Sequence, residues 1–117
     1  MFVERREIAG RPGLVLVGEL DRGTLDRPVM ETLREDDARG LPEVQIVDLS
    51  QLRFADSSVI ALIYELLRRQ PELGWVGVIA PSRGIMRVLE LGGLADTPRV
   101  RIFSDEAEAI EAVRAVS

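Results

Sequence analysis

A small polar cluster, Asp56, Ser57 and Ser58, lies between a short apolar run and an amphipathic segment. Each serine hydroxyl can accept a phosphoryl group, which adds about −1.5 to −2 charges. If a helix begins here, its first backbone N–H groups lack partners within the helix, and the positive end of its dipole lies beside the serines. A phosphate on either serine would then be stabilised. The residues therefore predict a site that can carry a phosphate, without choosing between Ser57 and Ser58.

The same three residues also have a purely structural interpretation. Asp and Ser are among the preferred residues at a helix N-cap, where a side-chain oxygen accepts a hydrogen bond from the first turn. Taken in isolation, such a cluster is more often a cap than a modification site, so both interpretations stay open at this point.

The segments around the cluster predict how it is positioned. Residues 44–49 (VQIVDL) are mostly apolar and rich in β-branched residues, which is typical of a central strand buried on both faces. From Ser57 or Ser58 onward apolar residues recur at helical spacing, and Arg68 and Arg69 follow where positive charge stabilises a helix end. These apolar residues are Val59, Leu62, Ile63, Leu66 and Leu67.

The rest of the chain alternates between predicted strands and helices. The predicted strands are residues 2–8, 14–20, 44–49, 74–80 and 100–103, and helices are predicted to begin near residues 26, 58, 82 and 104. Ser82 and Ser104 are the predicted N-caps of the last two helices. The order β-β-α-β-α-β-α-β-α predicts an α/β domain with a largely parallel sheet and an antiparallel hairpin at one edge.

Composition excludes several classes of function. The chain has 117 residues, which fits one domain, and its net charge of −5 disfavours direct binding to nucleic acid. It has neither cysteine nor histidine, so thiolate nucleophiles, the commonest general base and the commonest metal ligand are missing. We therefore expect no enzyme activity, catalytic residue, cofactor or metal site. Without a long apolar run or signal peptide, we expect a cytoplasmic protein that does not insert into a membrane.

Three short motifs follow one another along the chain. They are residues 18–21 (GELD) after the second strand, 56–58 (DSS) at the head of the second predicted helix, and 91–94 (LGGL) closing the third. In their order and spacing they resemble the landmarks of the bacterial STAS-domain anti-sigma factor antagonists. The resemblance spans nearly the whole chain. It implies a single STAS domain over residues 1–117, with helices packed mainly on one face of the sheet.

The resemblance implies a partner-switching regulator of transcription. In that family an ATP-dependent serine kinase, which is also the anti-sigma factor, phosphorylates the serine directly after the motif's aspartate. That position matches Ser57, with Ser58 as the runner-up. A metal-dependent serine phosphatase reverses the modification. The unphosphorylated antagonist binds the kinase and thereby releases the sigma factor.

The resemblance also implies which residues face the partner. Asp21 matches an acidic position near the phosphorylated serine, and Thr24 flanks the same surface. The expected partner-binding residues are Asp21, Thr24, Asp56, Ser57, Ser58 and Val59. For Asp21 and Thr24 a local role in turns that start the first helix is equally plausible from residue type. We expect a monomer or a weak dimer.

Two other functional classes stay open. The first is a STAS subunit of a lipid-transport ABC complex, which would dock on its ATPase without being phosphorylated. The second is an enzyme of unknown type, which the lack of any nucleophile and base pair disfavours.

Overall fold

The computed structural model describes residues 2–21 and 43–116, which form six strands, three α-helices and one 3₁₀ turn. The helix predicted over residues 26–39 lies outside these ranges. The strands are β1 Phe2–Ile8, β2 Arg11–Leu20, β3 Val44–Asp48, β4 Leu52–Ala55, β5 Trp75–Ile79 and β6 Val100–Phe103. The helices are α1 Ser58–Arg69, α2 Arg83–Leu91 and α3 Glu106–Ala115, with the 3₁₀ turn at Leu94–Asp96.

The strands form one mixed sheet in the order β1-β2-β3-β5-β6, and β4 pairs with β2 away from this path. β1 and β2 are antiparallel, whereas all the other pairs are parallel. The predicted α/β class, with a parallel sheet and an antiparallel hairpin at its edge, is therefore confirmed. The short strand β4 was not predicted, and it lies immediately before Asp56.

Helices cover both faces of the sheet. Helices α1 and α2 pack on one face, where Val59 and Leu89 join a large apolar cluster that includes Val47 and Val78 of the central strands. Helix α3 packs on the other face through a smaller cluster, whose strand residues alternate with those of the first because successive side chains point to opposite faces. Two of the three helices thus share one face. Among the described residues, no helix has the length and apolar character needed to cross a membrane.

One detail of the helices differs from the prediction. The cap of α3 is Asp105, whose carboxylate accepts a hydrogen bond from the backbone N–H of Glu108 at 2.9 Å, and not Ser104. The predicted cap of α2 is confirmed, since the Ser82 hydroxyl accepts from the N–H of Ile85.

Candidate functional site

β2 pairs with two different strands in succession, and its second pairing forms the edge of the sheet that carries the candidate site. Residues 13–15 of β2 pair with β3, and residues 18–20 pair with β4, where the register shifts between Gly18 and Glu19. Gly18 has φ of 111°, a conformation that glycine adopts at little cost and that other residues rarely adopt. Its N–H donates to the carbonyl of Gln51 at 3.2 Å. This explains in physical terms why a glycine opens the GELD motif.

The β2–β4 pairing brings two acidic residues to one end of the sheet. Leu20 and Ala55 are register partners, and the N–H of Asp56 donates to the carbonyl of Leu20 at 3.2 Å. Asp21 and Asp56 are the next residues after these partners, so they leave the two parallel strands side by side. The sequence expectation placed Asp21 near the serine cluster, and the backbone places it beside Asp56, the first residue of that cluster.

Asp56 caps helix α1. Its carboxylate oxygen Oδ1 accepts a hydrogen bond from the N–H of Ser58 at 2.8 Å, and its carbonyl accepts from the N–H of Val59 at 3.1 Å. Ser57 sits at the cap position with helical backbone angles, and its side chain makes no capping hydrogen bond. The structural interpretation of the cluster therefore applies to Asp56, and it leaves the Ser57 hydroxyl without that role.

Burial separates the residues at the start of α1. Ser57 is exposed, Ser58 is only 9% exposed and Val59 is completely buried. The sequence analysis expected Val59 at the partner-binding surface. Its side chain instead packs in the core between α1 and the sheet, where a partner cannot contact it. Ser58 is also largely out of reach of a partner, because so little of the residue is exposed. Of the two serines, Ser57 is the exposed one.

The surface beside Ser57 continues along the helix. Ala61, Tyr64 and Arg68 lie four, seven and eleven residues after Ser57, which places all of them on the same exposed side of α1. Tyr64 is 42% exposed, and its hydroxyl lies 3.2 Å from that of Thr97. Phe54, at the end of β4, is 52% exposed. Sequence reasoning did not single out Tyr64 or Phe54. Tyr64 lies opposite the predicted apolar stripe of the helix, and Phe54 lies in the strand that precedes it.

The two ends of α1 differ in charge. The first turn contains no acidic side chain, whereas Glu65 near the other end binds both Arg68 and Arg69. The pKa of Glu65 is lowered mainly by the hydrogen bond from Arg68. Partial burial raises this pKa, and the hydrogen bond from Arg69 lowers it further. The arginines of this end are thus engaged within the helix, and the end at Ser57 presents a hydroxyl.

One expected partner-binding residue lies outside the part of the chain that the structure describes. Thr24 lies outside the described residues, so its place beside Ser57 stays a prediction. Within residues 2–21 and 43–116, no group of three or more His, Cys, Asp or Glu side chains is arranged to hold a metal ion.

The fold is shared with solved structures, although no family model and no curated protein matches the sequence. An anti-sigma factor antagonist from Mycobacterium paratuberculosis has a TM-score of 0.78 at 21% identity, with 96% of this chain and 92% of that chain covered. The anti-sigma factor antagonist SpoIIAA in its unphosphorylated form has a TM-score of 0.70 at 23% identity, covering 98% of both chains. The phosphorylated form of SpoIIAA from Bacillus has a TM-score of 0.62 at 24% identity, with 96% and 99% covered.

These structural matches extend over nearly the full length of each chain. The chain therefore has the STAS fold, as the sequence motifs implied. Because one fold hosts many functions, the role of this protein has to be argued from its own site.

Proposed function

We propose that this protein is an anti-sigma factor antagonist whose choice of partner is switched by phosphorylation of Ser57. The observation that carries the proposal is the Ser57 side chain, which is exposed at the head of α1 and makes no capping hydrogen bond. The chain has the same fold as SpoIIAA, which has been solved in an unphosphorylated and in a phosphorylated form. In this proposal the partners are an anti-sigma factor serine kinase and a metal-dependent serine phosphatase.

Asp56 provides the side-chain cap of α1 and Ser57 does not, which supports a reversible modification of Ser57. A kinase must reach the Ser57 Oγ, and modification of a capping hydroxyl would cost the helix its cap. Here Asp56 accepts the hydrogen bond from Ser58 at 2.8 Å, so the cap persists whether or not Ser57 carries a phosphate. We expect a small conformational change on phosphorylation, confined to the serine and its immediate neighbours.

The switch would act through charge. A phosphate adds about −1.5 to −2 charges directly beside Asp56 and next to the end of β2, where Asp21 lies, on a chain whose net charge is already −5. A partner surface that fits a neutral hydroxyl would then have to desolvate a dianion. A penalty of about 2.8 kcal/mol weakens binding roughly a hundredfold, which is enough to exchange partners without refolding the domain.

The proposed contact surface combines this switch with an exposed helix side. Tyr64 and Phe54 are both about half exposed, and aromatic side chains are enriched where proteins bind one another. Tyr64 follows Ser57 on the exposed side of α1, and Phe54 precedes it in β4. The partner would therefore cover the serine together with these aromatic side chains, while Val59 holds the helix on the sheet from below.

The test is phosphorylation by an anti-sigma factor serine kinase from the same genome. The full chain is incubated with the kinase and Mg-ATP, and the modified residue is located by mass spectrometry. We expect phosphate on Ser57, none in Ser57→Ala, and unchanged modification in Ser104→Ala, an exposed serine at the end of β6.

Binding of the same kinase to three variants completes the test. Ser57→Ala should bind as the unmodified protein does, and Ser57→Asp should bind at least about tenfold more weakly because it adds a charge to the interface. Ser104→Asp serves as the matched control for an added charge elsewhere. A chain that stays unmodified, with equal affinity for Ser57→Ala and Ser57→Asp, would contradict the proposal and favour docking without phosphorylation.

A further inference from the structure

A second polar surface lies at the carboxyl ends of β5 and β6. These strands are parallel neighbours with Ile79 opposite Phe103, and the N–H of Ala80 donates to the carbonyl of Phe103 at 2.9 Å. The chain leaves β5 towards α2, on the face that carries the large apolar cluster, and leaves β6 towards α3 on the other face. The two connections therefore diverge and leave a crevice between them.

Such a divergence is the general location of ligand sites in open α/β sheets. Two adjacent parallel strands whose following helices lie on opposite faces create a gap that no side chain of the sheet fills. The crevice here is an open cavity of roughly 450 Å³, within the size range of small-molecule sites. Its lining residues are Ala80, Pro81, Ser82, Arg83, Met86, Arg87, Glu90 and Ser104.

The chemistry of this lining favours an anion. Arg83 and Arg87 lie four residues apart on α2, so both guanidinium groups stand on one side of the helix and border the cavity. Neither is bound to a carboxylate within the part of the chain that the structure describes, whereas Arg68 and Arg69 on α1 are. One carboxylate, Glu90, also lines the cavity, which leaves a net positive lining on an acidic protein.

Two hydroxyl groups complete the set of donors. The Ser82 oxygen accepts a hydrogen bond from Ile85, and its own proton is available to a ligand. Ser104 follows β6 on the other side of the crevice and is exposed. Arginine pairs with hydroxyl donors suit a phosphate group, because each guanidinium fork presents two N–H donors to phosphate oxygens.

We propose that this crevice binds a small phosphate-bearing molecule, held by Arg83 and Arg87 and oriented by Ser82 and Ser104. The site is formed by a different strand pair from the one that carries Ser57. The proposal therefore holds whether or not Ser57 is phosphorylated, and its test uses the unmodified chain.

The experiment is a titration followed by the backbone amide resonances of the full chain. The probes are inorganic phosphate and glycerol phosphate, each compared with chloride at equal ionic strength to remove general screening. We expect saturable shifts at Ala80, Ser82 and Ser104 with both phosphates and none with chloride. A stronger response to glycerol phosphate would assign the site to an organic phosphate, and an equal response would assign it to the inorganic ion.

Substitutions decide whether the arginines hold the ligand. In the double variant Arg83→Gln and Arg87→Gln, the dissociation constant should rise at least about tenfold, since two charged donors are lost. Arg114→Gln is the matched control, because Arg114 is an exposed helical arginine away from the cavity. Absence of saturable shifts with either phosphate, or a double variant that binds as tightly as the control, would overturn the proposal.

Discussion

The heads of α1 and α2 look alike in sequence but differ in how each serine is used. Both helices follow a parallel strand, and each has a serine at its cap position, Ser57 and Ser82. The Ser82 hydroxyl accepts a hydrogen bond from Ile85 at 3.4 Å, whereas Ser57 makes no such bond because Asp56 provides the cap. One serine is thus part of the helix structure, and the other is left to solvent. The preceding acidic residue makes the difference.

The largest effect that tests this comparison concerns Val59, which follows the serine pair. We expect Val59→Ala to lower the free energy of unfolding by about 2 kcal/mol or more, because the side chain is completely buried and its removal leaves a cavity. Ala61→Gln, on the exposed side of the same helix, should change it by less than about 0.5 kcal/mol. Urea unfolding measures both. A Val59→Ala variant as stable as Ala61→Gln would show that Val59 faces a partner and not the core.

The second effect concerns the cap of α1. We expect Asp56→Ala to lower the free energy of unfolding by about 1 kcal/mol, the usual cost of losing an N-cap side chain, and Ser57→Ala to leave it within about 0.5 kcal/mol. Asp56→Asn is the matched control, because its amide oxygen can still accept from Ser58. Thermal unfolding compares the three variants. If Ser57→Ala were the more damaging substitution, the roles assigned to the two residues would have to be exchanged.

The third effect concerns the cap of α2. Ser82→Ala should lower the free energy of unfolding by roughly 0.5 to 1 kcal/mol, at the low end for a cap because its hydrogen bond is 3.4 Å long. Ser104→Ala should cost almost nothing, since Asp105 caps α3. Denaturant unfolding of both variants tests this prediction. Equal losses for Ser82→Ala and Ser57→Ala would abolish the contrast between the two helix heads.

The smallest effect concerns the far end of α1. Arg68 and Arg69 lower the pKa of Glu65 below its usual value of 4.5, so the folded state binds fewer protons than the unfolded state. This contribution to stability is present above the unfolded pKa and is lost as the pH falls through the folded pKa. We expect it to be less than about 1 kcal/mol for a surface pair.

Urea unfolding as a function of pH measures this contribution. The wild type should lose more stability than Glu65→Gln as the pH falls below about 4.5, while Glu111→Gln, an exposed glutamate on α3, should follow the wild type. Parallel curves for the wild type and Glu65→Gln would show that the ion pairs of Glu65 do not contribute to the free energy of unfolding.

Much of the fold was predictable because its signals are local. The span of β1, the run of β3 and the amphipathic repeat of α1 all appear where the hydrophobic pattern places them. In α1 the buried apolar residues recur at the helical period, and β3 is a continuous run that is buried at every position. The predicted start of α1 at Ser57 or Ser58 is also confirmed within one residue.

Strand β4 could not be predicted in this way. Residues 52–55 (LRFA) are too few to show a period, and Phe54 in the middle is half exposed. The strand forms because residues 18–20 of β2, far away in sequence, lie beyond the pairing with β3 and offer it backbone partners. Such pairing depends on two distant segments at once, and no local pattern records it.

The sequence by itself determined that Asp56, Ser57 and Ser58 lie at the start of a helix, because both signals, the capping residues and the apolar spacing, are local in the sequence. It also supplied the motifs that indicated the STAS fold. Only the tertiary structure decided which serine is accessible, since Ser58 is buried and Ser57 is exposed according to how α1 packs on the sheet. Only the tertiary structure, likewise, opened the crevice beside Arg83 and Arg87, because it depends on helices that leave neighbouring strands towards opposite faces.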